Sequence, residues 1–162
     1  MPSRVLPTAQ ILTMLAAAPA HIATLTADLA AEQLQAAPAP GEWSANGVLA
    51  HLRSCADIWG DCMRTMLAQE RPTLRAVNPT TWIEQTNYRE VPFYLSLQAF
   101  TSQRFELLTV LTPLSPEAWS RSATVTGAGK PLGRTVHFYA QWLARHERPH
   151  LKQIQSLVKK SG

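Results

Sequence analysis

Four stretches of this chain space their apolar residues at intervals of three and four, and no long window alternates apolar and polar residues as a strand would. A stripe of that kind must be buried against another element, which confines the chain to helices packed on helices. The first stretch runs from about Thr8 to Glu32, with Leu15, Ala18, Ile22, Leu25 and Leu29 inward. Pro19 deletes one backbone hydrogen bond within it and is expected to kink or split it. The second begins in WSANGVLAHL. Ser44 as N-cap would put Trp43 and Val48 in the positions of a hydrophobic staple. Its seam of Val48, His51, Cys55, Trp59, Cys62 and Met66 should fade before Arg71 and Pro72. Pro92 suits the first turn of the third helix, where its missing N–H is orphaned anyway. Leu97, Phe100, Arg104, Leu107 or Leu108, and Leu111 carry that helix to Thr112. The last helix runs from about Gly133 or Arg134 to Lys159, with Val136, Leu143, His146, His150, Ile154 and Leu157 inward.

These elements predict an all-α fold, a four-helix bundle occupying one domain over residues 1–162. The connection from about Gln69 to Val91 is long enough for a crossover and should hold a short helix near Pro79 to Gln85. SPEAW, Ser115 to Trp119, reads as a capped single turn. GAGKPLGR, Gly127 to Arg134, lacks the G-x-x-x-x-G-K-[ST] order of a phosphate loop and reads as a turn.

Composition removes several function classes. With 46% apolar and 16% charged residues the chain is ordinary globular material. Its net charge of +4 is spread over many faces, so no nucleic-acid partner is predicted. Cys55 and Cys62, the only two cysteines, would sit about 10.5 Å apart along a helix axis, beyond disulfide reach. Reduced thiols fit a cytoplasmic location. The longest apolar run is read as too short to span a bilayer, so no membrane partner is expected. The N-terminal stretch to Ala20 has the ingredients of a signal peptide, but its three-and-four period continues in register past the supposed cut, which favours a first helix.

The inward stripe of the last helix contains two histidines one turn apart. In LARHERPHLKQI, an i, i+4 pair such as His146 and His150 lets both rings reach one metal ion. H-E-R-P-H also matches the letters of the zinc-protease motif H-E-x-x-H. Pro149 interrupts that turn, however, and only a dozen residues remain downstream for a further ligand, so the protease reading fails on context. Spacing alone favours a chance pair of partly exposed histidines; His51, on the inward seam of the second helix, supplies a third ring, the alternative for it being a core-edge histidine bonded to a neighbouring side chain. Three histidines converging from two facing helices would satisfy one another through a metal. Cys55 lies one turn after His51 and is read as a small core residue outside the ligand set. Glu147 is a candidate acid or base, or simply a solvated carboxylate. His21 and His137 are assigned to no site.

GEWSANGVLAHL followed near the C-terminus by WLARHERPHLKQI resembles the DinB-like superfamily of four-helix-bundle metalloproteins, which includes YfiT-type hydrolases and thiol-dependent transferases. The resemblance covers nearly the whole chain, SPEAW included. It implies a divalent metal held by His51, His146 and His150, with zinc or nickel the leading candidates, and a thiol transfer or hydrolysis that draws on a low-molecular-weight thiol such as bacillithiol, mycothiol or glutathione. It also implies a small-molecule substrate and a homodimer. The alternative is a non-catalytic metal-binding scaffold for stress or ligand binding.

Overall fold

The computed structural model describes residues 4–161, the last through its backbone alone; residues 1–3 and 162 of the expected domain lie outside that range. In chain order the helices are α1 (Thr8–Thr26), α2 (Ala31–Gln35), α3 (Ala45–Ala68), α4 (Pro79–Trp82), α5 (Phe93–Leu111), α6 (Pro116–Trp119) and α7 (Val136–Ser161). Three short strands accompany them: β1 (Thr73–Arg75), β2 (Ser122–Thr126) and β3 (Leu132–Thr135). The four long helices form the expected bundle. α1 and α3 each pack against both α5 and α7, so the order around the bundle is α1, α5, α3, α7.

Two apolar clusters give the helices their directions. One joins Ile11, Met63, Leu111 and Val136; the other joins Ile22, Val48, Phe93 and Ile154. Along α1 and α7 the chain passes from the first cluster to the second, and along α3 and α5 it passes the opposite way. α3 and α5 are therefore parallel, and the chain between them must return along α3. Asn46 Nδ2, at the start of α3, donates to the carbonyls of Arg89 and Val91 at 3.2 and 3.1 Å. Asp57 Oδ2, midway, accepts from Tyr88 Oη at 2.5 Å and Trp82 Nε1 at 3.4 Å. The expected crossover thus has polar clamps along its length.

Several boundaries differ from the sequence reading. The break in the first helix falls after Thr26, where Asp28 takes φ 66°, and α2 follows as a separate element. Pro19 is buried inside a continuous α1. Its ring removes the donor for the Leu15 carbonyl, and Arg104 Nη1 donates to that oxygen at 2.9 Å instead. Pro92 is the residue before α5 rather than its first turn. α7 begins at Val136 because residues 132–135 pair as β3. The sheet was not foreseen: β1 pairs parallel with β2, and β2 antiparallel with β3. Strands of three to five residues are too short to show a period. The stretch read as a turn does supply one, with Gly127 and Gly129 at φ 91° and 86° before β3. Among the described residues, α1 is long and apolar enough to cross a membrane by length and composition, contrary to the count of apolar runs. Here one of its faces, Ile11, Leu15, Ala18 and Ile22, is buried within the bundle.

Between the two apolar clusters lies a buried ion pair. Arg104 on α5 and Glu147 on α7 are 2% and 1% exposed. Their two bonds are parallel, Nη1 to Oε1 at 2.9 Å and Nη2 to Oε2 at 2.5 Å. The guanidinium also lies 4.9 Å from the Phe100 ring centre. Removing one partner strands a charge in the core, whereas replacing both with apolar groups does not. Glu147→Ala should lower the unfolding free energy by about 3 to 5 kcal/mol, and Arg104→Met/Glu147→Leu should recover most of that loss in urea denaturation.

Candidate metal centre

The second turn of α3 and the middle of α7 bring three imidazoles together. α3 opens as the sequence suggests, with Ser44 Oγ accepting from the Gly47 amide at 3.0 Å, and this start directs His51 toward α7. His51 is 6% exposed, and its Nε2 stands 3.1 Å from Nε2 of His146. The His150 ring lies 4.8 Å, centre to centre, from both the His51 and His146 rings. Its Nδ1 is 3.0 Å from Gln153 Oε1. The tautomer that donates this bond leaves Nε2 with a free lone pair. Gln153 was not singled out in the sequence; its position three residues after His150, one turn along the helix, is the signal that was there to find.

Aromatic side chains wall the cluster. Trp43 stands 5.1 Å from His51 and 6.4 Å from His150, while Trp59 stands edge-on to His146 at 5.0 Å. The residue read as half of a staple therefore also flanks the histidines. Burial, together with the neighbouring His150 and His146, lowers the His51 pKa to about 4. His146 is lowered by burial and by His150. Neutral imidazoles are the form that can bind a metal.

Cys55 belongs to this neighbourhood. Its Sγ is 3.4 Å from His51 Nε2, and ligating atoms of His51, Cys55 and His146 lie within 4.8 Å of one another. Burial, with the Glu147 carboxylate nearby, pushes the thiol up to about 12. Glu147 itself is not solvated: both its oxygens are engaged by Arg104, facing away from the role it holds in H-E-x-x-H proteases. His21 is exposed, and His137 Nε2 donates to the Leu6 carbonyl at 2.8 Å, so both stand apart from the cluster.

The lowered imidazoles give a pH dependence of definite sign. An unfolded histidine takes up its proton near pH 6.5, while folded His51 resists until about 4. Metal-free protein should therefore lose stability as pH falls from about 6.5 to 4, and this contribution should level off below. The urea midpoint measured at intervals across that range should fall less steeply in His51→Asn than in the unaltered chain.

Comparison with known proteins agrees with the architecture. No curated protein sequence matches the chain at a significant level. Among solved structures, YfiT from Bacillus subtilis aligns with a TM-score of 0.81, covering 99% of this chain and 92% of that one at 16% identity. That protein is described as a probable metal-dependent hydrolase with an unusual four-helix bundle topology. At this identity the likeness is one of fold. The family model of the DinB superfamily matches residues 14–154, a span that holds all three clustered histidines, and the chain belongs to the DinB superfamily.

Proposed function

We propose that this protein is a divalent-metal-dependent enzyme in which His51, His146 and His150 hold the ion, and that it catalyses thiol transfer or hydrolysis on a small molecule. The observation that carries the reading is the 3.1 Å approach of two Nε2 atoms on facing helices, beside a third ring whose Nδ1 is already committed to Gln153. Between two neutral imidazoles one hydrogen bond is the most that can form; a cation uses every lone pair at once. A second-layer hydrogen bond like that from Gln153 commonly orients a ligating ring. When bound, a divalent ion supplies Lewis acidity toward water, thiols and carbonyl oxygens.

The chain's own residues define what surrounds that chemistry. Three imidazoles make an open donor set, whereas a fourth, sulfur donor would close it in the manner of a structural site. Cys55 decides between the two. Its raised pKa keeps it a thiol in the metal-free protein, and the reading places it beside the ion, outside the ligand set. Trp43 and Trp59 exclude water from two sides of the rings. The free thiols Cys55 and Cys62 support a reducing compartment, and with it access to a low-molecular-weight thiol.

A second reading, a non-catalytic metal-binding scaffold, is favoured by the engagement of Glu147, the carboxylate nearest in sequence to the rings, with Arg104. Untagged protein and its His51→Ala, His146→Ala, His150→Ala and Cys55→Ala variants should be compared by elemental analysis and by turnover of electrophiles with a panel of cellular thiols. The proposal expects each histidine variant to lose roughly tenfold or more in metal affinity together with turnover, and Cys55→Ala to keep its metal. Metal retained by all histidine variants would refute the centre; metal lost without turnover of any thiol pair or ester would favour the scaffold.

A further inference from the structure

We infer that the cleft beside His146 is a binding site for a planar aromatic ring carrying a carboxylate, and that this is the substrate class of the enzyme. As a statement about substrate it rests on the proposed function; as a statement about binding it rests on the cleft alone.

The cleft has a volume of about 350 Å³ and is lined by Phe138, Gln141, Trp142, Arg145 and His146. That is at the small end of ligand pockets, room for one or two fused rings. His146 is shared with the histidine cluster, so the cleft opens directly onto it. Phe138, Trp142 and His146 recur at every fourth residue of α7, on one face of the helix. The rings of Phe138 and Trp142 are nearly parallel, 15° apart with centres separated by 6.1 Å. Trp59 meets Trp142 edge-on at 5.9 Å and His146 edge-on at 5.0 Å, which braces the wall from α3.

Two features point to a ligand rather than a core edge. Trp142 is 49% exposed although it is held between two rings, so a large apolar surface faces solvent in a fixed orientation. The charge at the mouth is all positive. Arg145 donates to the carbonyl of Arg4, a neutral partner, and forms no ion pair among the described residues. Arg134 lies over the outer end of the wall, 4.3 Å from the centre of the Phe138 ring. Among the described residues no acidic side chain lines the cleft. An aromatic face, an uncompensated guanidinium and an imidazole at the inner end together select a flat ring with an anionic substituent, since guanidinium recognises carboxylates strongly.

Calorimetric titration of the full-length, chelator-treated protein with 2-naphthoate, 2-naphthalenemethanol and cyclohexanecarboxylate tests this. Naphthoate should bind saturably and more tightly than either other probe. Arg145→Gln should weaken naphthoate roughly tenfold, one good charge-assisted bond, without changing the neutral alcohol, and Arg145→Lys should restore part of the loss. Trp142→Leu should weaken both aromatic probes. Equal naphthoate affinity in the unaltered chain and in Arg145→Gln, with both folded by circular dichroism, would overturn the proposal. So would sedimentation showing a dimer that Trp142→Leu dissociates, because the wall would then be covered by a second copy. Metal is absent throughout, so failure of the metal centre leaves these outcomes unchanged, and failure of naphthoate binding leaves the metal analysis unchanged.

Discussion

A guanidinium and a carboxylate meet where the bundle has no water to offer either of them. Arg104 and Glu147 join α5 to α7, the two long helices that face each other across the bundle, and the guanidinium reaches α1 as well. A pair so placed adds little net stability over a well-packed apolar substitute; its effect is on which arrangement is allowed. Sliding either helix by one turn would leave two charges without partners. Apolar clusters on both sides restrict the register less sharply, since a core can repack when its volume and pattern are kept whereas an unpaired buried charge cannot be accommodated. The polar layer thus fixes the height at which α7 sits.

That height is what the histidines need. Glu147 adjoins His146 in sequence, about 100° around the helix, so an inward carboxylate turns the imidazole toward α3. His51 meets it there because Ser44 starts α3 at a defined residue. Neighbouring side chains take different directions: Glu147 locks the helix to α5, and His146 turns to the His51 ring. The letters H-E-x-x-H are present, yet the glutamate is spent on the core, a use of the motif unlike the protease one.

Helices and histidines were legible in the sequence because each announces itself through the repeat of a single helix. His146, His150 and their aliphatic neighbours share one face, and His51 lies on the seam of another. Arg104 was visible as a charged residue in an apolar stripe, but its partner was not, because a pairing between α5 and α7 has no sequence period. Cys55 could be placed one turn from His51, although its 3.4 Å approach to the ring depends on rotamers. The sheet was hidden by brevity: β1 and β2 are joined across some fifty residues by three paired positions. Trp43 and Trp142 were read, respectively, as a staple and not at all, since their present surroundings come from α7 and α3 in turn.

Proline inside a helix is usually counted as a loss of one bond. In α1 the bond that Pro19 forgoes leaves the Leu15 oxygen free, and the arginine of α5 occupies it. Alanine at this position would raise helix propensity and at the same time provide a local amide to compete for that acceptor. A conventional stabilising exchange would crowd a second donor onto an oxygen that now serves the arginine alone, so the imperfection in α1 is a socket for α5.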